Sequence, residues 1–482
     1  MQSDTRAQAL RILGEVDHPL IRTVVKVVGC SVAAFFVAHW TQGDSAGVES
    51  LSEAGRSTLW ILVFAALMWV TEALPAYAVG LLVMGLEILI LGRPGGVFAE
   101  DGDYKAWEQF VQPWSNPLMW LFIGGFVLAA AASKTQLDQV IARRVLRFFG
   151  HEPKAVLAGC MMVTFVFSMF MSNTATAAMM IAVVAPVALS LNAEDPFMKA
   201  LYLGIPISAN IGGMGTIIGS PPNAIAAGLM PTGSQVDFLQ WMTYGLPPAI
   251  LLAVVGWMYL VKRYPCETGS IRLLPSEELS GAEGGKYNNL HRFAVASVFV
   301  ITIGLWMTES LHKIPNAVVS FIPIVSFAVF GVLKSEDIRN LQWDVLLLLC
   351  GGLSLGVAVR VSGLADWVAS LLPTGLPIWA IVLVMAYLAV VQSNLMSNTA
   401  TAAILLPIGI GFVPEVPLAL AVPVALTCSC AMMLPISTPP NAVAFASNKV
   451  GTKDFVKSGA LFTLLGPAIV YLWMVVALWL GL

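Results

Sequence analysis

The chain is expected to be an all-α polytopic membrane protein made of two repeats of opposite topology, with about 11 transmembrane helices and two re-entrant hairpins. Three observations carry this. Of its 482 residues, 58% are hydrophobic and 11% charged, with a mean hydropathy of +0.82; that is more apolar surface than a soluble core can bury. Met171-Ser-Asn-Thr-Ala-Thr-Ala-Ala178 recurs letter for letter as Met396-Ser-Asn-Thr-Ala-Thr-Ala-Ala403. Each copy is followed by a hydroxyl residue and Pro-Pro-Asn-Ala, at Ser220–Ala224 and Thr438–Ala442. Finally, the two apolar stretches that hold the octapeptides, 155–191 and 378–411, are too long for one crossing of roughly 20 residues. Two half-helices of about 16 residues, each reaching roughly 24 Å and meeting at a polar tip, describe a hairpin. Irregular backbone at that depth is tolerated only where protein or a water-filled cavity surrounds it.

Residues 1–56 form an N-terminal region containing a first span at 21–40. Arg6, Arg11, Arg22 and Lys26 lead into a full-length apolar segment, not a short one with a cleavage site, so no cleaved signal peptide is expected. The first repeat, 57–262, has spans at 57–74, 76–92, 116–133, 198–228 and 240–262 around hairpin 155–191. Residues 135–149 set Leu137, Val140, Ile141 and Val145 on one face, against Asp138, Arg143, Arg144 and Arg147. This is either a helix lying along the inner membrane surface or an extension of the span before it. The polar stretch 263–291, with Pro265 and Pro275, reads as a cytoplasmic linker. The second repeat, 292–482, has spans at 292–311, 315–334, 343–361, 416–446 and 458–481 around hairpin 378–411.

More than one motif aligns the halves. Trp69-Val-Thr-Glu-Ala-Leu74 matches Trp306-Met-Thr-Glu-Ser-Leu311, and Gly124-Gly125 matches Gly351-Gly352. The two octapeptides and the two Pro-Pro-Asn motifs follow in the same order. Five crossings separate equivalent points, and an odd number turns the second copy upside down. With the N-terminus in the cytoplasm, 20 of the 25 Lys and Arg residues fall on the cytoplasmic side, as the positive-inside rule requires. The C-terminus is then extracytoplasmic.

Ser, Asn and Thr cap helix N-termini, and proline is favoured at the first helical position. Ser172-Asn173-Thr174, Ser397-Asn398-Thr399, Ser220-Pro221 and Thr438-Pro439 therefore mark four helix starts near the membrane midplane, the hydroxyls acting as caps. Each start offers free N–H groups and a positive dipole end to an anion. The unwound backbone beside it offers carbonyl oxygens to a hard cation such as Na⁺. No Lys, Arg, Asp, Glu or His lies within these motifs. A proton-driven carrier is expected to place a titratable group there, so sodium coupling is favoured. The paired glycines read as close helix packing, and Glu72 and Glu309 as interfacial or structural. The six cysteines read as buried thiols, and Cys428-Ser-Cys430 is too isolated for a metal site.

At these motifs the chain resembles the divalent anion/sodium symporter family, the sodium-coupled dicarboxylate and citrate carriers, over essentially residues 57–482. The resemblance implies a homodimer in the inner (plasma) membrane, with a scaffold and a transport domain moving as an elevator. It implies one Na⁺ near the first tip at Ser168, Ser172, Asn173 and the Gly219 backbone. A second Na⁺ is implied at Ser393, Ser397, Asn398 and the Ser437 backbone. Substrate carboxylates are implied to meet Asn173, Thr174, Ser220, Asn398, Thr399, Thr438 and Pro439. Family exchangers carry a basic side chain in place of sodium, and none is present in the motifs. The expected function is Na⁺-coupled import of C4-dicarboxylates such as succinate, malate and fumarate. A citrate or sulfate carrier and a sodium-independent exchanger are the alternatives within the fold. An anion channel remains a further option, separable by saturable sodium-dependent uptake. An intramembrane hydrolase needs a Ser–His or paired-Asp constellation at depth, which is absent. No enzymatic activity and no nucleic-acid partner are expected.

Overall fold

The computed structural model describes residues 18–40, 50–98, 105–189, 191–192, 194–231, 233–267, 289–373 and 375–481. Most of the expected linker, 268–288, and most of the expected N-terminal region before the first span lie outside the described residues. What is described is helical, with no strand among these residues. Eight helices are long and apolar enough to cross a membrane, from Leu20–Trp40 to Thr452–Trp479, and six further apolar helices are shorter.

Both octapeptide stretches fold back on themselves. The first has arms Pro153–Ser168 and Asn173–Leu189, and the second has arms Ile378–Leu395 and Asn398–Phe412. The arms of each pair pack together. The stretches after them are interrupted as well. Phe197–Gly212 gives way to two 3₁₀ turns, Gly213–Gly215 and Ile217–Gly219, before the short helix Pro221–Gly228. Pro417–Cys428 is likewise separated from Pro439–Ala446 by a non-helical stretch. In both places the short helix begins on Pro-Pro, whose missing backbone donors suit a first turn.

The sequence anchors make the same contacts in each half. Trp69 Nε1 donates to the Ala76 carbonyl at 3.1 Å, and Trp306 Nε1 to the Asn316 carbonyl at 3.1 Å. Each indole is buried and pins the corner into the next helix, a bond worth about 1 kcal/mol. The glycine pairs are packing contacts, as expected. A Cβ on Gly351 would lie 2.5 Å from Gly80 Cα, and one on Gly124 would lie 2.6 Å from Ser320 Cβ. The second glycine of each pair faces another way: Gly352 faces Ala403 and Gly125 faces Ile218.

Leu137–Phe148 is a helix of its own and not an extension of Pro117–Lys134, because Gln136 between them takes φ 56°. It buries Asp138, Ala142 and Leu146 and packs on both arms of the first hairpin. Two ion pairs tie distant segments together: Lys134 with Asp337, and Lys199 with Asp454 at 3.1 Å. Tyr264 also donates to Asp454, at 3.0 Å. The six cysteines are free thiols, five of them buried. One fully buried carboxyl was passed over in the sequence: Glu87 meets the Ser354 hydroxyl, which also donates to the Phe110 carbonyl at 2.9 Å.

Candidate functional site

The two hairpin tips are built alike. Ser172 Oγ accepts from Ala175 N at 3.2 Å, and Ser397 Oγ accepts from Ala400 N at 3.2 Å. Each serine is thus an N-cap, worth about 1 kcal/mol to its helix, and leaves Asn173 and Asn398 as the first helical residues. The other two helix starts depart from expectation. Ser220 and Thr438 occupy the position before Pro221 and Pro439, yet neither side chain makes a capping bond. Two successive prolines supply no N–H at the first two helical positions, and the third, Asn223 N, donates to the Ser220 carbonyl at 3.0 Å and not to its hydroxyl. The Thr438 hydroxyl instead accepts from Asn210 Nδ2 at 3.0 Å.

The first half gathers oxygens. Asn173 Oδ1 lies 2.6 Å from Ser168 Oγ, 3.3 Å from the Ala209 carbonyl and 3.2 Å from the Gly219 carbonyl. Ser168 Oγ is also 2.7 Å from the Ala209 carbonyl, so its single hydrogen faces two acceptors. Turning the Asn173 amide over would let its nitrogen donate to this ring. Bare backbone makes room for the cluster: a Cβ on Gly213 would lie 2.8 Å from Asn173 Oδ1 and 2.9 Å from the Gly219 carbonyl. Of the expected residues, the structure brings Ser168, Asn173 and Gly219 together, and it adds Ala209, which sequence reasoning missed.

The second half is arranged differently. Asn398 Oδ1 is buried with no hydrogen-bond partner among the described residues, and the buried Ser393 hydroxyl meets only the Cys428 thiol, a weak partner. Leaving such a group unpaired costs about 1–3 kcal/mol, which a coordinated cation would offset. Ser437 joins through its side chain, lying 3.2 Å from the Asn394 carbonyl and 3.1 Å from Asn394 Oδ1. No hydrogen bond among the described residues joins Ser437 to Ser393 or Asn398 directly. The shell in both halves is hydroxyl, amide and carbonyl oxygen with no carboxylate, a donor set for a hard cation of low charge.

The helix from Asn173 packs on the Pro439–Ala446 helix, and the helix from Asn398 packs on the Pro221–Gly228 helix. Each helix that begins at a Ser-Asn-Thr therefore packs against the Pro-Pro helix of the other half. Thr174 and Pro439 are exposed, Thr399 is half-buried, and Ser220 and Thr438 are buried. The asparagines of the two Pro-Pro-Asn motifs hold the unwound strands. Asn223 Nδ2 donates to the Gly213 and Thr216 carbonyls at 2.9 and 2.8 Å. Asn441 Nδ2 donates to the Met432 and Leu434 carbonyls at 3.2 and 2.9 Å. Asn223 and Asn441 were visible in the repeated motifs, but their structural role was not. Asn394 follows Ser393 and has no copy in the first half, so repetition could not reveal it.

Broken apolar helices that pack across two similar halves are the mark of a secondary membrane transporter. Residues 31–482 match the family described as the sodium:sulfate symporter transmembrane region. The chain belongs to this family, as its motifs led one to expect, and its relatives are multi-pass membrane transporters, not enzymes. It is 32% identical over 468 residues to the sodium-dependent dicarboxylate transporter SdcS of Staphylococcus saprophyticus, covering 88% of this chain and 86% of that protein. It is also 32% identical over 459 residues to SdcS of Staphylococcus aureus, covering 86% and 84%. Among solved structures, the Alcanivorax borkumensis YdaH transporter shares the fold, with a TM-score of 0.50 and 13% identity over 88% of this chain and 98% of that one.

Proposed function

We propose that the chain imports C4-dicarboxylates together with Na⁺, as a homodimer, by moving a substrate-bearing domain past a scaffold. The cluster at Asn173 supports the cation half of this reading, since the Ser168 hydroxyl, the Asn173 amide and the Ala209 and Gly219 carbonyls converge there whichever way the amide is turned. One Na⁺ is assigned to Ser168, Ser172, Asn173, Ala209 and Gly219. The other is assigned to Ser393, Ser397, Asn398 and Ser437, where the buried Asn398 Oδ1 lacks a partner. The dianion is assigned to the helix starts, at Asn173, Thr174, Ser220, Asn398, Thr399, Thr438 and Pro439. With no cationic side chain among these residues, helix dipoles, free N–H groups and the bound Na⁺ must balance the substrate charge. The relatives named sodium-dependent dicarboxylate transporters support the pairing of ion and substrate.

The repeats are read as inverted, with the N-terminus cytoplasmic and the C-terminus extracytoplasmic. The matched corner bonds, hairpin caps and asparagine clamps support a repeat, while its inversion and orientation rest on the odd number of crossings between equivalent points and on the distribution of Lys and Arg. The decisive experiment is uptake of labelled succinate, citrate and sulfate by proteoliposomes, with Na⁺ replaced by choline at constant ionic strength. Succinate uptake that requires Na⁺ and ignores a protonophore is expected. Uptake that survives without Na⁺ and collapses with the protonophore would overturn the proposal.

A further inference from the structure

We infer that Asn210 is the residue that couples cation binding in the first half to the shape of the substrate loop in the second. The inference rests on the function proposed above. Asn210 is 1% exposed and occupies the last turn of Phe197–Gly212. The residue before it, Ala209, supplies the carbonyl that lies 2.7 Å from Ser168 Oγ and 3.3 Å from Asn173 Oδ1. Its own amide crosses to the other half, with Nδ2 3.0 Å from Thr438 Oγ1 and 3.4 Å from Asn441 Oδ1.

From there the bonds continue. Asn441 Nδ2 holds the Met432 and Leu434 carbonyls, and Leu434 N donates to Ser437 Oγ at 3.1 Å. A continuous hydrogen-bonded route therefore runs from the oxygen cluster of one half to the unwound strand of the other, and Asn210 is its only side chain that spans the halves. Among the described residues the route has no reciprocal hydrogen bond. At the matching turn of the second half stand Thr427 and Cys428, and both bond back into their own helix, to the Pro423 carbonyl at 2.8 Å and the Val424 carbonyl at 3.3 Å.

A cation drawn to the Ala209 carbonyl fixes the backbone that carries Asn210, and a fixed Asn210 holds Thr438 and Asn441 in one arrangement. Without the cation, the last turn of Phe197–Gly212 is free to shift and Thr438 loses a donor. Substrate affinity then falls although no substrate contact has been removed. Asn210 is a positioning residue in this scheme, since it touches Thr438 and not the assigned ion or substrate. It deserves a test separate from that of the ligands, because an unbroken chain of contacts is no proof of coupling by itself.

The experiment measures labelled succinate binding to the full chain in lipid nanodiscs, with NaCl titrated against choline chloride. In the wild-type protein the ratio of succinate Kd at low and high Na⁺ is expected to be on the order of tenfold or more, within the usual 5–150-fold range of coupling. Asn210→Ala is expected to reduce that ratio to about two while leaving Kd at saturating Na⁺ within about fivefold. Asn210→Ser, whose hydroxyl is too short to reach Thr438, should behave alike and serves if the alanine variant does not fold. A variant that keeps the wild-type ratio overturns the coupling role. So does one whose affinity drops equally at every Na⁺ concentration, or the failure of both variants to fold, since either marks a structural residue. A wild-type ratio near one overturns sodium coupling itself, so the two failures are distinguishable.

Discussion

The two octapeptides are identical in sequence and differ in surroundings. Ala175 and Ala178 of the first are exposed, whereas their counterparts Ala400 and Ala403 are 1% and 0% exposed. The covering element is Trp343–Val361, which lies along Asn398–Phe412 with Gly352 set against Ala403. Its counterpart, Pro117–Lys134, turns Gly125 to Ile218 of the unwound strand and leaves the Ala178 face uncovered. Identical small-residue faces want identical partners, and small residues are what let helix backbones approach closely in a membrane. One face has its partner here and the other does not. On the proposed mechanism, the contact between Gly352 and Ala403 belongs to one end of the transport cycle. The matching contact, Gly125 against Ala178, belongs to the other.

The largest expected effect would break the likeness of the two tips. Asn173→Ala and Asn398→Ala should each reduce Na⁺-dependent uptake to background, while expression and detergent-extracted oligomeric state stay as in the wild type. Either variant transporting at the normal rate with unchanged sodium dependence would remove the tips from the site.

Cross-linking sharpens the difference between the covered and uncovered faces. In a background without the native cysteines, Gly352→Cys with Ala403→Cys should oxidise readily and stop transport, because a Cβ on Gly352 lies 3.0 Å from the Ala403 Cβ. Gly125→Cys with Ala178→Cys should cross-link only as the protein cycles, and faster under turnover conditions. If the second pair never forms a disulfide, the exposed face is a fixed feature and not half of a cycle. Labelling tests the inversion directly. A cysteine replacing exposed Glu415 should react with an impermeant maleimide from outside intact cells. One replacing exposed Glu194 should react only after permeabilisation. Labelling of both from the same side would end the inverted-repeat reading.

Gly351→Ala tests packing that no substrate contact depends on. Its new methyl would meet the Gly80 backbone at 2.5 Å, and overpacking of this kind typically costs about 1–3 kcal/mol. A fall in thermal midpoint should follow, read by scanning fluorimetry. The smallest effect is expected from Lys199→Met. The Lys199 side chain is 44% exposed, and such a pair contributes about 0–1 kcal/mol, so the midpoint should move little while Tyr264 still bonds Asp454.

Much of this architecture was legible beforehand because it depends on local chemistry. Composition placed the chain in a membrane, and segment length against a fixed bilayer thickness singled out 155–191 and 378–411 as hairpins. Ser172 and Ser397 could be read as caps because a short hydroxyl at a helix start does the same thing wherever it occurs. Gly124-Gly125 and Gly351-Gly352 could be read as packing because only glycine permits such approach. The capping role expected of Ser220 and Thr438 failed for an equally local reason, the missing donors of two prolines, which the same sequence contained.

Duplication, hydropathy and helix-breaking residues depend only on neighbours along the chain, so the sequence by itself determined the number of polar breaks, their order and their equivalence in the two halves. Which oxygens meet around Asn173 was settled only by the tertiary structure, since the Ala209 and Gly219 carbonyls are contributed by backbone, and every residue has a carbonyl. The same holds for the reach of Asn210 into the second half, because nothing in one strand of sequence says what lies across an interface. It holds most of all for the octapeptides. Eight identical letters cannot encode which copy is covered, because that is a property of how two bodies are docked and not of either chain segment.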